Sequence, residues 1–156
     1  MEQTMTLAKT LKYKNRVLQK LSRVTGEIRR WNSIIADGER EKDAKELMAE
    51  RKRLVENLIA VKLVIAKANG PIQEDILRLA EVKGEISLLN ELDTRHGKQM
   101  QEFGFRGDAQ MVEYDAVIRK SDVDVAVESL EKQVDELQDR LDHHNHTTEV
   151  TVDVIL

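Results

Sequence analysis

Three groups of side chains in this 156-residue chain are of kinds that bind or transform ligands. The first is Asp142-His143-His144-Asn145-His146, where His143 and His146 stand three residues apart and can share one helix face. With Asp142 or Glu149 they offer a metal site, although no HExxH pattern accompanies them. The same histidines suit the C-terminus of a helix, where the dipole favours cations, so no metal and no cofactor are expected. The second group is Arg29-Arg30-Trp31-Asn32, two guanidiniums that fork onto phosphate oxygens, an indole face for a base, and an amide. Its plainer role is structural, with Trp31 filling the end of a core and the arginines facing acidic helix. The third gathers Arg95, His96, Lys98, Arg106, Arg119 and Lys120 around Phe103-Gly104-Phe105-Arg106-Gly107-Asp108. Glycines there can expose backbone amides to phosphate, but the spacing is neither that of a Walker loop nor that of a dinucleotide fold.

The elements that must position these groups are helical. Charged residues make up 35% of the chain and aromatics 3%, with one Pro and no Cys. That composition excludes disulfide-stapled modules, thiol enzymes and aromatic-rich sandwiches and suits long solvated helices. The longest apolar stretch, 58–66, contains Lys62 and is too short to span a bilayer, and no basic-then-apolar leader opens the sequence, so a cytoplasmic protein is expected. The net charge of −4 is unevenly distributed. Residues 1–36 carry eight basic side chains against Glu2 and Glu27, whereas residues 121–156 carry ten acids against Lys132 and Arg140. The two ends should attract one another, and a basic stripe on the first helix is better explained that way than by nucleic acid.

The expected fold is mainly α: three to four long antiparallel helices in one domain, with a small β element near the C-terminal half. Helix one spans about 5–36, with Leu7, Leu11, Leu18, Leu21, Ile28 and Ile35 on one stripe and Val17, Val24 and Trp31 widening it. Asp37-Gly38 ends it. Helix two, about 43–69, puts Leu47, Leu54, Leu58, Val61, Ile65 and Ala68 on one side and is apolar on nearly all faces from Leu54 to Ala66, which predicts a central position. Asn69-Gly70-Pro71 breaks it. Helix three is expected over 71–103, weakened in its second half by Gly84, Asn90, Asp93, His96 and Gly97. Strands are expected at 111–119 and 148–155, flanking a fourth helix at 122–146 whose Val127, Leu130, Val134, Leu137, Leu141 and His144 follow heptad spacing. Strands so placed lack partners, which predicts a homo-oligomer cemented by exchange of the C-terminal strand.

This order of features, carried by Asn32, Ile65 to Asn69, Tyr114, Ser121-Asp122-Val123-Asp124-Val125, Leu137-Gln138-Asp139-Arg140-Leu141 and Asn145-His146-Thr147-Thr148-Glu149, resembles the septicolysin-like family of uncharacterised bacterial and phage helical proteins. The chain departs from it at His146, where the family usually has Trp, and in the shorter loop Asp37-Gly38-Glu39-Arg40-Glu41. With no cysteine, a thiol-activated cytolytic mechanism does not fit. The resemblance implies a helical oligomer with polar helix ends lining a small-molecule pocket. The function expected is a non-enzymatic oligomeric binding protein that sequesters a phosphorylated small molecule, in the manner of a phage sponge for a nucleotide immune signal (anti-defence). Arg29, Arg30, Trp31, Asn32, Arg106, Tyr114, Arg119, Asn145, Thr147 and Thr148 are the expected ligand contacts. A structural or assembly protein acting through helix contacts is the alternative, and a metal-dependent enzyme ranks last. No membrane partner is expected.

Overall fold

The computed structural model describes residues 1–103 and 107–156. The order of elements is β1 (Glu2–Thr6), α1 (Leu7–Trp31), α2 (Ala44–Ala68), a 3-10 turn (Gly70–Ile72), α3 (Gln73–Glu91), β2 (Gly97–Phe103), β3 (Asp108–Tyr114), α4 (Lys120–Thr147) and β4 (Glu149–Asp153). The fold is mainly α, as the composition predicts. Where a single domain is expected, the chain divides into two compact units: residues 1–73 with 142–156, and residues 74–141.

In the first unit α1 and α2 run antiparallel, as the pairs Tyr13–Asn57, Lys20–Glu50 and Glu27–Lys42 require. Thr6 stands at the N-cap of α1 in extended conformation, its hydroxyl accepting from the Lys9 N–H, and Asp43 caps α2 by accepting from the Lys45 N–H at 2.7 Å. Helix α1 stops at Trp31, five residues short of the predicted end, with the Asn32 N–H bonded to the Ile28 carbonyl. Ile35, expected on its apolar stripe, is 84% exposed beyond it. The buried seam of α1 is Thr10, Val17, Val24 and Trp31 at strict seven-residue intervals, with Leu7 and Tyr13. Leu18, expected at the centre of the stripe, is 40% exposed. Thr10 tolerates burial because its hydroxyl donates to the Thr6 carbonyl, 3.1 Å away. Opposite, Leu47, Leu54, Leu58, Val61 and Ile65 of α2 are buried, as predicted. The other side of α2 is not central: Ile59 and Leu63 are 48% and 58% exposed.

Strand β4 is not left without a partner. It pairs antiparallel with β1, with Thr4 opposite Thr151, and Val152 inserts into the helical core. The sequence predicts a helix from about residue 5 and strands only at 111–119 and 148–155; with Glu2–Thr6 a strand paired to β4, the premise for exchange of the C-terminal strand is removed. His144 ties the end of α4 to that of α2, its Nε2 lying 3.0 Å from the Ala68 carbonyl.

In the second unit α3 ends at Glu91 rather than Phe103, and Gly97–Phe103 is a strand. The break falls among the residues that weaken the helical pattern. Asp93 accepts from the Arg95 N–H at 3.1 Å, and Gly97 takes φ +82°, which a side chain would strain. Strand β2 pairs antiparallel with β3, with Met100 opposite Met111. The predicted strand 111–119 is shifted to Asp108–Tyr114, because Asp122 in the first turn of α4 accepts from the Arg119 N–H at 2.9 Å and starts that helix at Lys120. Helices α3 and α4 run antiparallel, joined by Arg140–Asp75 at 3.0 Å, and Leu79 and Val82 of α3 and Val123, Leu130, Leu137 and Leu141 of α4 are buried.

Candidate functional site

The seven residues of the first unit that the sequence singles out fall into two groups at opposite ends of α1. Trp31 is 8% exposed and belongs to the core of the first unit, with the Arg30 guanidinium stacked 4.8 Å from its ring centre. Arg29, Arg30 and Asn32 lie at the C-terminal end of α1, where the free carbonyls attract cations and oppose an anion. Asn145, Thr147 and Thr148 lie at the other end of the same helix. The Thr148 carbonyl accepts from the Leu7 N–H at 2.8 Å, and the Thr147 hydroxyl donates to the His143 carbonyl at 2.8 Å. The length of α1, roughly 36 Å at 1.5 Å per residue, separates the two groups. Tyr114 and Arg119 are in the second unit. Arg106 lies outside the described residues. Among the described residues no group of three His, Cys, Asp or Glu side chains could hold a metal.

What the first unit does assemble is a cleft of about 600 Å³, within the range of small-molecule pockets. One side of α2 supplies Lys52, Arg53 and Glu56, Lys20 reaches in from α1, and Asp153 and Ile155 close it from the C-terminal segment. Ala49, Leu54, Ala60 and Ile155 give it an aliphatic surface. Lys20 is committed to Glu50 at 2.9 Å, and the Asp153 carboxylate receives the Met1 ammonium. Lys52 and Arg53 have no ion-pair or hydrogen-bond partner among the described residues. No periodicity marks this cleft in the sequence. Its one legible trace is the run of three cations Arg51-Lys52-Arg53, of which Lys52 and Arg53 line the cleft while Arg51 donates to the Thr25 hydroxyl.

The back of the cleft is a buried polar network. The Tyr13 hydroxyl donates to Asn57 Oδ1 at 2.8 Å and accepts from the Ile155 N–H at 3.0 Å, while Asn57 Nδ2 donates to the Asp153 carbonyl at 2.7 Å. Apolar patterning does not reveal it, since Asn57 interrupts an otherwise apolar helix face. A polar residue at such a position is the one clue.

In the second unit the base of the β2–β3 hairpin holds Asp93, Arg95 and Tyr114. The Arg95 guanidinium chelates Asp93, with Nε 2.9 Å from both carboxylate oxygens, and stacks 4.2 Å from the centre of the Tyr114 ring. The Tyr114 hydroxyl donates to Gln101 Oε1 and accepts from Arg95. Hydrogen bonds from the Arg95 side chain, then from its backbone N–H, lower the Asp93 pKa to about 2. A lowered carboxylate pKa contributes stability that is complete above the unfolded value of about 3.9 and fades as pH falls toward the folded value. The Arg95 Nε–H resonance reports the folded state and is therefore expected to hold constant from neutral pH to about 3 and to move with a midpoint near 2. Asp93→Asn should abolish that transition.

The chain matches no family model, no curated protein and no solved structure. Function therefore rests on the geometry of the described residues. No helix among them is long and apolar enough to cross a membrane.

Proposed function

We propose that this protein is a non-enzymatic binding protein that sequesters a small phosphorylated molecule, and that the cleft on α2 holds it. The observation that carries the reading is the pair of uncommitted cations, Lys52 and Arg53, beside an aliphatic surface in a cleft of about 600 Å³. Arg53 can fork onto phosphate oxygens while Lys52 adds a point charge, and the body of the ligand covers Ala49, Ala60 and Ile155. Among the described residues no aromatic side chain lines the cleft, so a nucleotide base would lie against aliphatic side chains instead of stacking. This reading keeps the small-molecule pocket implied by the septicolysin-like resemblance and moves it from the helix ends to the side of α2. A phage sponge for a nucleotide immune signal is its finer form, and a panel of nucleotides and sugar phosphates tests it.

The test is native mass spectrometry of the purified protein followed by calorimetry against that panel. Lys52→Ala and Arg53→Ala are each expected to weaken binding by about tenfold to a hundredfold, since hydrogen bonds to charged groups are worth roughly 1.5–3 kcal/mol. Arg29→Ala with Arg30→Ala should leave affinity unchanged. No retained ligand together with no binding across the panel would reject the proposal.

The exposure of Met48, Ile59 and Leu63 on α2 favours a second reading, an assembly protein that engages a partner helix. Under it Ile59→Glu with Leu63→Glu abolishes function and the cleft variants do not.

A further inference from the structure

Strands β1 and β4 form a two-stranded sheet, which has two outer edges. The backbone bonds that bracket it are Val154 N–H to the Met1 carbonyl and Leu7 N–H to the Thr148 carbonyl, both across pairs of the same register. Hydrogen-bonded and non-bonded pairs alternate in an antiparallel ladder, so Gln3 and Met5 bond inward to β4 while Glu2 and Thr4 turn their N–H and C=O groups outward and Thr6 its N–H, its carbonyl being taken by the Thr10 hydroxyl. On β4 the outward groups are those of Asp153, Thr151 and Glu149. The C-terminal end of that edge is closed by side chains of the helices, Asn57 donating to the Asp153 carbonyl and Tyr13 accepting from the Ile155 N–H. The outer edge of β1 has no such cover. Glu2 and Thr4 are exposed, and among the described residues no hydrogen bond reaches their outward backbone groups. Pro is absent from Glu2–Thr6 and so is Lys, the two residues that usually protect such an edge.

We infer that the outer edge of β1 is a docking surface for a second copy of this chain, the two β1 strands pairing antiparallel about a two-fold axis at Thr4 to give a four-stranded sheet. The edge is self-complementary. With Thr4 opposite Thr4 of the second copy, the two threonines exchange both backbone bonds, and the Thr6 N–H falls opposite the outward Glu2 carbonyl. Threonines directly across strands are a favourable pair, and no like charges meet. The charges also complement one another. Helix α1 has no acidic residue in its first turn, which instead carries Lys9 without an ion-pair partner among the described residues, and within the chain only Glu149, opposite the N-cap Thr6 on the β4 side, brings an acid to that positive end. In the proposed pairing Glu2 of the second copy lies across from Thr6, the N-cap of that helix, and its carboxylate meets both the helix end and Lys9. The arrangement also places the Met5 side chains of both copies on the face that packs on the helices. The inference does not depend on the ligand reading, because the cleft is lined from α2, Lys20 and the C-terminal segment and uses no residue of β1.

Light scattering after gel filtration tests it on the full chain. The wild-type mass is expected to rise toward twice the 17.9 kDa of one chain with concentration. Thr4→Pro should hold the mass at one chain, since it removes an outward N–H and blocks the edge without taking a bond from the β1–β4 ladder. Glu2→Lys should weaken the dissociation constant about tenfold, by putting a cation at the positive helix end. Amide hydrogen exchange on the wild-type chain gives a readout independent of how the variants fold. Thr4 should be as slow as Gln3 and Met5 at high concentration and faster on dilution. A monomer at all concentrations, a dimer unaffected by Thr4→Pro, or a Thr4 amide that exchanges fast at every concentration beside slow Gln3 and Met5 each overturns the inference. Dissociation by Ile59→Glu with none by Thr4→Pro would assign the contact to α2 instead.

Discussion

Asn57→Leu is expected to destabilise the first unit by about 2–4 kcal/mol although it adds apolar surface to a core. Asn57 is buried and satisfies two groups at once, accepting from the Tyr13 hydroxyl at 2.8 Å and donating to the Asp153 carbonyl at 2.7 Å. Leucine at this position leaves the buried Tyr13 donor and the part-buried Asp153 acceptor without their partner. The desolvation of each then stands uncompensated, and that term exceeds the gain of roughly 1.5–3 kcal/mol from burying the new side chain. Tyr13→Phe removes a hydroxyl that also receives the Ile155 N–H, and should cost about 1–2 kcal/mol. The double variant is expected to cost less than the sum of the singles by about 1 kcal/mol or more, because the second change removes a group that the first has orphaned. Urea denaturation of the four proteins measures the cycle. Equal and additive small losses would show that the network does not hold the C-terminal segment. Since Asp153 and Ile155 also line the cleft, loosening them in these variants should weaken ligand uptake along with stability.

The helical frame was legible because its signals are periodic and local. The seven-residue spacing of Leu130 and Leu137, the caps at Asp43 and Asn69, and the one-sided Leu47, Leu54, Leu58, Val61 and Ile65 each express a single element's geometry. Two elements were hidden for opposite reasons. Glu2–Thr6 is too short to establish an alternating period before the helical one begins, and its strand character depends on a partner more than 140 residues away. Gly97–Phe103 has only one aliphatic residue, Met100, and its pairing with Asp108–Tyr114 overrides what the preceding helix would continue. The candidate contacts fared differently from the frame. Arg29 to Asn32 and Asn145 to Thr148 are each a plausible anion cradle when read as short strings, yet the chain sets them at opposite ends of α1, a separation that no local pattern encodes. The cleft shows the converse. Lys20 belongs to the basic stripe of the first helix and Lys52 and Arg53 to a run of cations, and the three become one set only where α1, α2 and the C-terminal segment meet.

Leu137→Asp is expected to cost the second unit about 4 kcal/mol or more and to melt much of α4. Leu137 is 2% exposed, in the middle of the seam that α4 presents to α3. The Asp75–Arg140 pair and the groove where Ile86 lies beside Val134 fix the antiparallel register and bring Leu137 level with Leu79. Replacing it forfeits roughly 1.5–3 kcal/mol of apolar burial and forces a carboxylate into a buried apolar seam. The charged side chain one turn away on α4, that of Arg140, is already paired with Asp75. Val125 is the control. It is 70% exposed on the same helix, and Val125→Asp should shift stability by no more than about 0.5 kcal/mol. Circular dichroism at the helical band, followed through a thermal melt, separates the two. Equal losses would mean that α4 is held by its own propensity and not by the seam. That outcome is disfavoured by the net negative charge of a helix carrying eight acids against Lys120, Lys132 and Arg140, which needs the apolar contact with α3 to stay folded.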